Sequence, residues 1–239
     1  MIGWRARIGY ISPANAECSV YEFYRIIPEG VSLVVTCLSI KDLTREEMEL
    51  ALRRVNQAAM DLAKSEVDFI VLGGTPPAVM KGADGDQQLI RRIEEATKIR
   101  TVIKITAAMA AFRHLGARRI SVVTPFVEEN NRNIKKFLEG SGFSVSNIKG
   151  LGLHSNLDIA RLPSYAPYQL ARSVVLENRE TDAIYIPCTQ WAPSFSAHQL
   201  EKDFGLPVVT PNIAMIWYVF RSLNLRGEIK GFGRLLEEL

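Results

Sequence analysis

The sequence contains little cysteine and little histidine for its length. Three cysteines and three histidines occur among 239 residues. Cys18, Cys37 and Cys188 cannot all pair, and their spacing fits neither a disulfide framework nor a zinc knuckle. The histidines are widely spaced, without the pattern of a metal site. We therefore expect a protein of the reducing cytoplasm that holds no metal.

Long hydrophobic runs are also missing. The apolar residues 8–11 reach Ser12-Pro13 too soon to be the core of a signal peptide. Residues 213–220 form the longest apolar run of the second half, and this run is far too short to cross a bilayer. The sequence therefore predicts neither secretion nor a membrane partner.

Basic clusters and nucleotide-binding motifs are absent as well. The 29 basic and 26 acidic residues give a formal net charge of +3. They are spread along the chain, whereas nucleic-acid binding needs a clustered basic face. Gly231-Phe232-Gly233 lacks the preceding strand and the full spacing of a dinucleotide-binding loop, and the chain has no P-loop and no GxSxG turn. We expect no nucleic-acid partner.

One short layout occurs twice, about half the chain apart. In the first half, one β-branched run ends at Ser12-Pro13 and another ends just before Gly74-Thr75. In the second half, the corresponding runs end at Thr124-Pro125 and just before Cys188-Thr189. The separation of about 110 residues indicates one ancestral unit used twice. Gly74 and Cys188 are therefore partners by pseudo-symmetry.

Strands and helices alternate along the chain, which favours crossover connections and parallel sheets covered on both faces. We predict an α/β fold of two pseudo-symmetric units, each a mainly parallel sheet flanked by helices. The predicted strands are 8–11, 32–39, 69–72, 101–105, 120–123, 143–150, 183–186 and 208–210. The predicted helices are 44–65, 86–97, 106–115, 128–139, 166–178, 194–204 and 213–223.

Helix 44–65 has the clearest local signals. Leu50, Ala51 and Val55 are among its apolar residues at helical spacing, and Thr44 with Glu47 predicts a capping box at its start.

The two units follow from the position of the last apolar helix. We expect helix 213–223 to pack back across the first unit, so that residues 1–115 with 214–239 form one unit and residues 116–213 the other. No Ser/Gly-rich linker separates them. Because open α/β sheets bind ligands at the carboxyl ends of their strands, we expect the site at the interface of the units.

Cys188 is the candidate catalytic residue. It follows a four-residue apolar strand and precedes a loop. A free cysteine is often only a small buried hydrophobe, and we interpret Cys18 and Cys37 in that way. Cys188 differs because the repeat places it opposite Gly74, which indicates chemistry on one side only. A structural role remains the alternative.

Two symmetric pairs of hydroxyl residues lie beside these positions. Thr75 and Thr189 each offer a hydroxyl and a backbone N–H, and such loop donors can hold a carboxylate or an enolate oxygen. Ser12 and Thr124 form the second pair, each followed by proline. The alternatives are that the first pair caps the following segments and that the second pair ends strands in turns.

Further motifs accompany these residues along nearly the whole chain. They are Ile8-Gly9-Tyr10-Ile11, Pro13, Lys81-Gly82, Leu115-Gly116-Ala117-Arg118-Arg119, Phe137-Leu138, Gly205-Leu206-Pro207-Val208-Val209 and Gly231-Phe232-Gly233-Arg234-Leu235. With these motifs the chain resembles the aspartate/glutamate racemase superfamily, and within it the arylmalonate decarboxylase family. The resemblance implies two similar α/β halves with the site between them.

The resemblance also implies an activity. A substituted malonate would lose one carboxylate in an apolar pocket without any cofactor, and the other carboxylate would become an enediolate. Cys188 would then protonate the carbon from one face. Thr75 and the backbone N–H groups near Cys188 and Thr189 would be the donors, with Pro13 and Gly74 beside the substrate. The partner would be a small carboxylate, and assembly into a homo-oligomer is left open.

The chain departs from this pattern at two positions. The family's decarboxylase offers a serine hydroxyl where this chain has Pro76, and a tyrosine hydroxyl where it has Phe126. Removing one such donor costs on the order of 10²-fold in rate, so the substrate is expected to differ. Replacement donors would come from Ser12, Asn15, Thr124 or Gln190.

Two other functions stay open. One is an isomerase or racemase acting on a small dicarboxylate such as maleate, although such relatives use two cysteines and the first position here is Gly74. The other is a carboxylate-binding protein that retains the fold without activity.

Overall fold

Two four-stranded parallel sheets form the centre of the structure, a computed structural model that describes residues 2–80, 82 and 84–239. The first sheet has the order β2-β1-β3-β4, with β1 Ala6–Ser12, β2 Val31–Cys37, β3 Phe69–Leu72 and β4 Thr101–Ile103. The second has the order β6-β5-β7-β8, with β5 Arg119–Phe126, β6 Ser144–Leu153, β7 Ala183–Tyr185 and β8 Val208–Val209. The second sheet repeats the strand order of the first, with each strand number raised by four. These two parallel sheets with their helices confirm the predicted α/β fold.

Helices connect and cover the strands. In the first half they are α1 Glu17–Ile26, α2 Arg45–Lys64, α3 Thr75–Val79, α4 Gly85–Thr97 and α5 Lys104–His114. In the second half they are α6 Glu128–Gly140, α7 Asn156–Ala160, α8 Ala166–Glu177, α9 Ser194–Phe204, α10 Pro211–Ser222 and α11 Arg234–Glu237. Lys81, part of one quoted motif, lies outside the described residues.

A matching pair of aspartates shows the repeat at atomic detail. The carboxylate of Asp68 accepts the backbone N–H of Arg7 at 2.7 Å, at the start of β1. The carboxylate of Asp182 accepts the backbone N–H of Arg119 at 2.8 Å, at the start of β5. Each aspartate also donates its own N–H to the carbonyl of that same arginine. The two halves therefore anchor their central strands in the same way.

The start of α2 differs in one detail from the predicted capping box. The Thr44 hydroxyl accepts the backbone N–H of Glu47 at 3.3 Å, as predicted. The Glu47 carboxylate, however, accepts the N–H groups of Lys41 and Asp42 and not that of Thr44. Leu50 lies on the solvent side of α2 and is 40% exposed, so its predicted place on the apolar face is wrong.

The boundary between β4 and α5 lies earlier than predicted. The sequence 101–105 reads as one apolar strand, but β4 ends at Ile103 and Lys104 begins α5. In the second half, β5 continues through Pro125 to Phe126 instead of ending at Val123. Both corrections concern the carboxyl ends of strands, where functional side chains lie.

The sequence analysis did not predict helices α1, α3, α7 and α11. Helix α1 has Ala16 at its N-cap, which provides no side-chain hydrogen bond. Its buried face contains Ser19 and Glu22 together with Phe23 and Ile26. Without a capping residue and with polar groups on the buried face, α1 has neither of the usual helix signals.

Helix α10 is buried almost entirely and contacts α5 of the first half. It begins at Pro211, two residues before the predicted start, because Thr210 is its N-cap and accepts the N–H of Ile213 at 3.4 Å.

The division into units 1–115 with 214–239 and 116–213 stays a prediction. Within the described residues, every helix is too short or too polar to span a bilayer.

Candidate active site

A cavity lies between the two halves, at the carboxyl ends of the strands. All eight strands contribute to its lining through the residues that follow them or end them. Nine of the ten residues that we predicted for the site line this cavity: Ser12, Pro13, Asn15, Gly74, Thr75, Phe126, Cys188, Thr189 and Gln190. The parallel topology therefore brings together residues that are far apart in the sequence.

Cys188 lies three residues beyond the end of β7, at the start of a 3₁₀ turn formed by Thr189–Trp191. Its side chain is buried. Burial raises the pKa of the Cys188 thiol to about 12, although hydrogen bonds from the backbone N–H groups of Gln190 and Trp191 oppose this shift. Near neutral pH the thiol is protonated, so it can donate a proton.

Gly74 occupies the equivalent loop after β3. Its φ of +92° lies in the left-handed region that glycine adopts without strain. A Cβ atom at this position would lie 2.9 Å from carbon atoms of both Pro13 and Pro77. The backbone of Gly74 is therefore wedged between two proline rings, with no room for a side chain, and Cys188 faces no second thiol there.

Unused hydrogen-bond donors lie on the loops around Cys188. Among the described residues, the backbone N–H groups of Thr75 and Thr189 have no acceptor. The side chain of Gln190 is buried, and its amide nitrogen also has no partner in the described chain. Buried donors normally have partners, so these three groups are available to an anionic ligand in the cavity.

The loop after β1 forms another wall. The Ser12 hydroxyl donates to the carbonyl of Asn15 at 3.4 Å, which leaves the oxygen of the hydroxyl free to accept. Pro13 packs against Gly74. The loop after β1 therefore contributes the apolar ring of Pro13 and the hydroxyl of Ser12 to the surface of the cavity.

Thr124 is the one predicted residue that the structure places elsewhere. Its hydroxyl donates to the Asn131 side chain at 2.6 Å and accepts the N–H of Phe126 at 3.1 Å. Both bonds are buried, and they hold the end of β5, which explains why this hydroxyl is turned away from the cavity. Phe126, in contrast, presents an apolar ring to the cavity.

Two polar lining residues were missed by the sequence analysis. The Asn156 amide donates to the carbonyls of Ile40 and Lys41 and so ties the second half to the first above the cavity. No sequence signal identifies Asn156, because the strand before it, β6, is exposed or half-buried along its length and is not a buried apolar run. Lys104 had a signal, since it is a charged residue within the apolar run 101–105.

Lys104 belongs to a buried polar network. Its Nζ atom donates to Asn212 Oδ1 at 2.6 Å and to Ser19 Oγ at 2.9 Å. The Asn212 amide donates in turn to Glu22 Oε2 at 2.8 Å, and Glu22 Oε1 accepts the backbone N–H of Ser194 at the start of α9. Burial raises the pKa of Glu22 to about 7, against the opposing effect of these hydrogen bonds.

The described residues contain no cluster of three or more His, Cys, Asp or Glu side chains that could hold a metal ion. Among the described residues that line the cavity, the polar groups are neutral donors and acceptors together with the ammonium of Lys104. This arrangement is suited to an anion with an apolar part.

Comparison with known proteins agrees with this chemistry. The family model described as arylmalonate decarboxylase matches residues 8–236. A maleate isomerase of Nocardia farcinica is 28% identical over 179 residues, which cover 71% of this chain and 69% of the relative. The arylmalonate decarboxylase of Bordetella bronchiseptica is 24% identical over 232 residues, covering 97% of this chain and 96% of that protein.

Solved structures share the fold over nearly the full length. A double mutant of arylmalonate decarboxylase in a liganded form superposes with a TM-score of 0.92 at 22% identity, covering 98% of this chain and all of that one. A maleate cis-trans isomerase mutant of Nocardia farcinica, with a covalently bound succinylcysteine intermediate, gives a TM-score of 0.91 at 21% identity, with 98% of this chain and 99% of that one covered.

The packing at Gly74 predicts a stability cost. Gly74→Ala should lower the free energy of unfolding by more than Gly142→Ala, because both residues have a positive φ near 90° but only Gly74 lacks space for a Cβ. The backbone strain alone costs about 1–3 kcal/mol. Urea unfolding of both variants measures the difference, and equal losses would contradict the proposed wedge between the prolines.

The buried Glu22 predicts a pH dependence of stability. Its pKa rises from 4.5 in the unfolded chain to about 7 in the folded chain, so the folded state binds this proton more tightly. The free energy of unfolding should therefore fall as the pH rises from 4.5 to 7, by at most about 1.4 kcal/mol per pH unit. Urea unfolding across this range should show a shallower fall for Glu22→Gln. Parallel curves for the two proteins would refute the shift.

Proposed function

Because the chain belongs to the arylmalonate decarboxylase family, whose model covers residues 8–236, we propose that it decarboxylates a substituted malonate without a cofactor. The observation that supports this most directly is the pairing of one protonated, buried thiol at Cys188 with a glycine, Gly74, at the equivalent position. Its relatives of this length are enzymes, described as arylmalonate decarboxylase and maleate isomerase. The choice between these two chemistries is our proposal.

The reaction begins with the loss of carbon dioxide. The bond between the central carbon and one carboxylate breaks, and its electron pair moves into an enediolate formed with the second carboxylate. The leaving carboxylate must give up its charge, which is favoured where water is excluded. Ile40, Leu43, Pro76 and Phe126 offer such an apolar surface within the cavity.

The donors of the cavity stabilise the enediolate. Its oxygens gain negative charge as the carbon dioxide leaves, and donors fixed in advance at those oxygens lower the barrier. The free N–H groups of Thr75 and Thr189 and the amide of Gln190 are such donors. Of these three, the Gln190 amide is the replacement for the hydroxyls that Pro76 and Phe126 do not provide.

Protonation of the carbon completes the reaction. Cys188 donates its proton to one face of the enediolate carbon, and the resulting thiolate regains a proton from solvent. The high pKa of Cys188 keeps the thiol loaded before each turnover. Because Gly74 offers no acid on the opposite side, the product should be a single enantiomer.

A second candidate is the isomerisation of a small unsaturated dicarboxylate such as maleate. The observation in its favour is the maleate isomerase of Nocardia farcinica, which is 28% identical over 179 residues. A cysteine nucleophile reacts as the thiolate, however, and the raised pKa of Cys188 disfavours that form. We therefore place isomerisation, and binding without turnover, behind decarboxylation.

Replacement of the thiol tests the proposed role. Cys188→Ala should reduce carbon dioxide release from a panel of aryl- and alkyl-substituted malonates by about 10²-fold or more, because a positioned acid contributes at least that factor. Cys37→Ala, which removes an exposed thiol, is the matched control and should retain full activity. Unchanged turnover in Cys188→Ala, or no release by the wild type from any malonate, would refute the proposal.

Intact-mass analysis with maleate separates the two chemistries. In a Cys37→Ala background, which removes the exposed thiol, no adduct should form on Cys188 because its thiol is protonated. The Cys37→Ala protein and the Cys37→Ala/Cys188→Ala protein should each keep their own mass after incubation with maleate. A mass increase of one maleate that disappears with Cys188→Ala would favour the isomerase.

A further inference from the structure

Lys104 is the only charged residue among those that line the cavity in the described part of the chain. It is buried, and it lies at the first position of α5, immediately beyond the carboxyl end of β4. This is the edge of the sheet at which Cys188 and the unused donors also lie. Its ammonium also interacts electrostatically with Cys188, so the two groups belong to the same site.

The charge of Lys104 is not directly paired with a carboxylate. Within the described residues, it forms no ion pair within 4.0 Å with a carboxylate. Its hydrogen-bond partners are the neutral oxygens of Asn212 and Ser19, and the Tyr10 hydroxyl also interacts with it. The ammonium also lies 4.1 Å from the centre of the Tyr10 ring. An ammonium has three protons. Two of them are used in the hydrogen bonds to Asn212 and Ser19, and a ligand of the cavity would compete with the Tyr10 hydroxyl for the third.

The nearest link to a negative charge in this network is indirect. Glu22 is reached only through the Asn212 amide, and burial holds its pKa near neutrality, so its charge is partial at pH 7. Burying an ammonium without a full counter-charge is costly. Burial accordingly lowers the pKa of Lys104, while Tyr10, Glu22 and Cys188 oppose this shift. An anion bound in the cavity would compensate the charge.

The repeat shows that this charge breaks the symmetry of the site. A helix of each half carries the sequence Phe-Arg-x-Leu, at Phe112–Leu115 and at Phe220–Leu223. Lys104 lies eight residues before the first of these segments, and Asn212 lies eight residues before the second. The two residues are therefore equivalent, and they are bonded to each other at 2.6 Å. As with Gly74 and Cys188, one member of the pair carries the chemistry and the other does not.

We propose that Lys104 binds the carboxylate that the substrate retains. This inference rests on the proposed function and names a residue that recognises its substrate. A cation beside the leaving carboxylate would oppose the reaction, because that group departs as neutral carbon dioxide. Beside the retained carboxylate, the cation stabilises the additional charge of the enediolate. Lys104 thus selects ligands that keep a carboxylate on the carbon facing Cys188 throughout the reaction.

The test compares a carboxylate with its neutral amide. Phenylacetate and phenylacetamide have nearly the same shape, and neither can be decarboxylated by this route. Calorimetry should show that the wild type binds phenylacetate at least about tenfold more tightly, as expected for a hydrogen bond to a charged group. Lys104→Met should bring the ratio of the two dissociation constants close to one, mainly through weaker binding of phenylacetate.

Two further variants separate charge from structure. Ser19→Ala removes one hydrogen bond from the same network and keeps the ammonium, so the preference for phenylacetate should remain. Lys104→Gln retains a donor for Asn212 without the charge, and it should lose the preference even if Lys104→Met does not fold. A structural role alone would weaken both ligands equally in all three variants.

Each outcome decides the proposal. Equal binding of the acid and the amide by the wild type, or no binding of phenylacetate at millimolar concentration, overturns it without any variant. A preference that survives in Lys104→Gln overturns it as well. These binding measurements need no turnover, so a preference for phenylacetate that depends on Lys104 would support the proposal even if no malonate releases carbon dioxide. The absence of carbon dioxide release would refute only the proposed decarboxylation.

Discussion

The site depends on the common direction of the strands within each sheet. In a parallel sheet, every strand ends at the same edge, so the residues that follow the strands are collected there whatever their distance in the sequence. Here two sheets of the same order direct these edges toward one cavity, and all eight strands contribute to its lining. The interior positions of the strands hold the fold, and the positions just beyond them are free to differ between the halves.

That freedom explains the asymmetry of the cavity. Two copies of one unit would give a site with equivalent walls, suited to chemistry that can run from either face. In this chain the equivalent positions differ around the cavity. Gly74 stands opposite Cys188, and Asn212 stands opposite Lys104. The scaffold is repeated, whereas the thiol of Cys188 and the ammonium of Lys104 have no counterpart among the described lining residues of the other half. The proposed reaction, in which a proton is added from one face, requires such a distribution.

The sequence was sufficient to predict the fold and to name many of the residues that line the cavity, for one physical reason. Apolar β-branched runs mark the strands, and a residue that follows such a run lies at the functional edge, as Cys188 and Thr75 do. The prediction failed where the end of a strand was misjudged. Lys104 was hidden because the run 101–105 reads as one strand, and Thr124 was misplaced because β5 continues beyond it. Asn156 is placed by tertiary contacts alone.

The wedge of Gly74 between Pro13 and Pro77 constrains the evolutionary paths that are open to this chain. A two-thiol site, as racemases of the superfamily use, would differ from this one in sequence by a single residue, a cysteine in place of Gly74. A side chain at position 74 would nevertheless meet both proline rings at 2.9 Å. The order of substitutions therefore matters, because both Pro13 and Pro77 must be replaced or displaced before a cysteine at position 74 fits. One glycine and two prolines thus couple three positions, so a single substitution at position 74 cannot add a second thiol without displacing these rings.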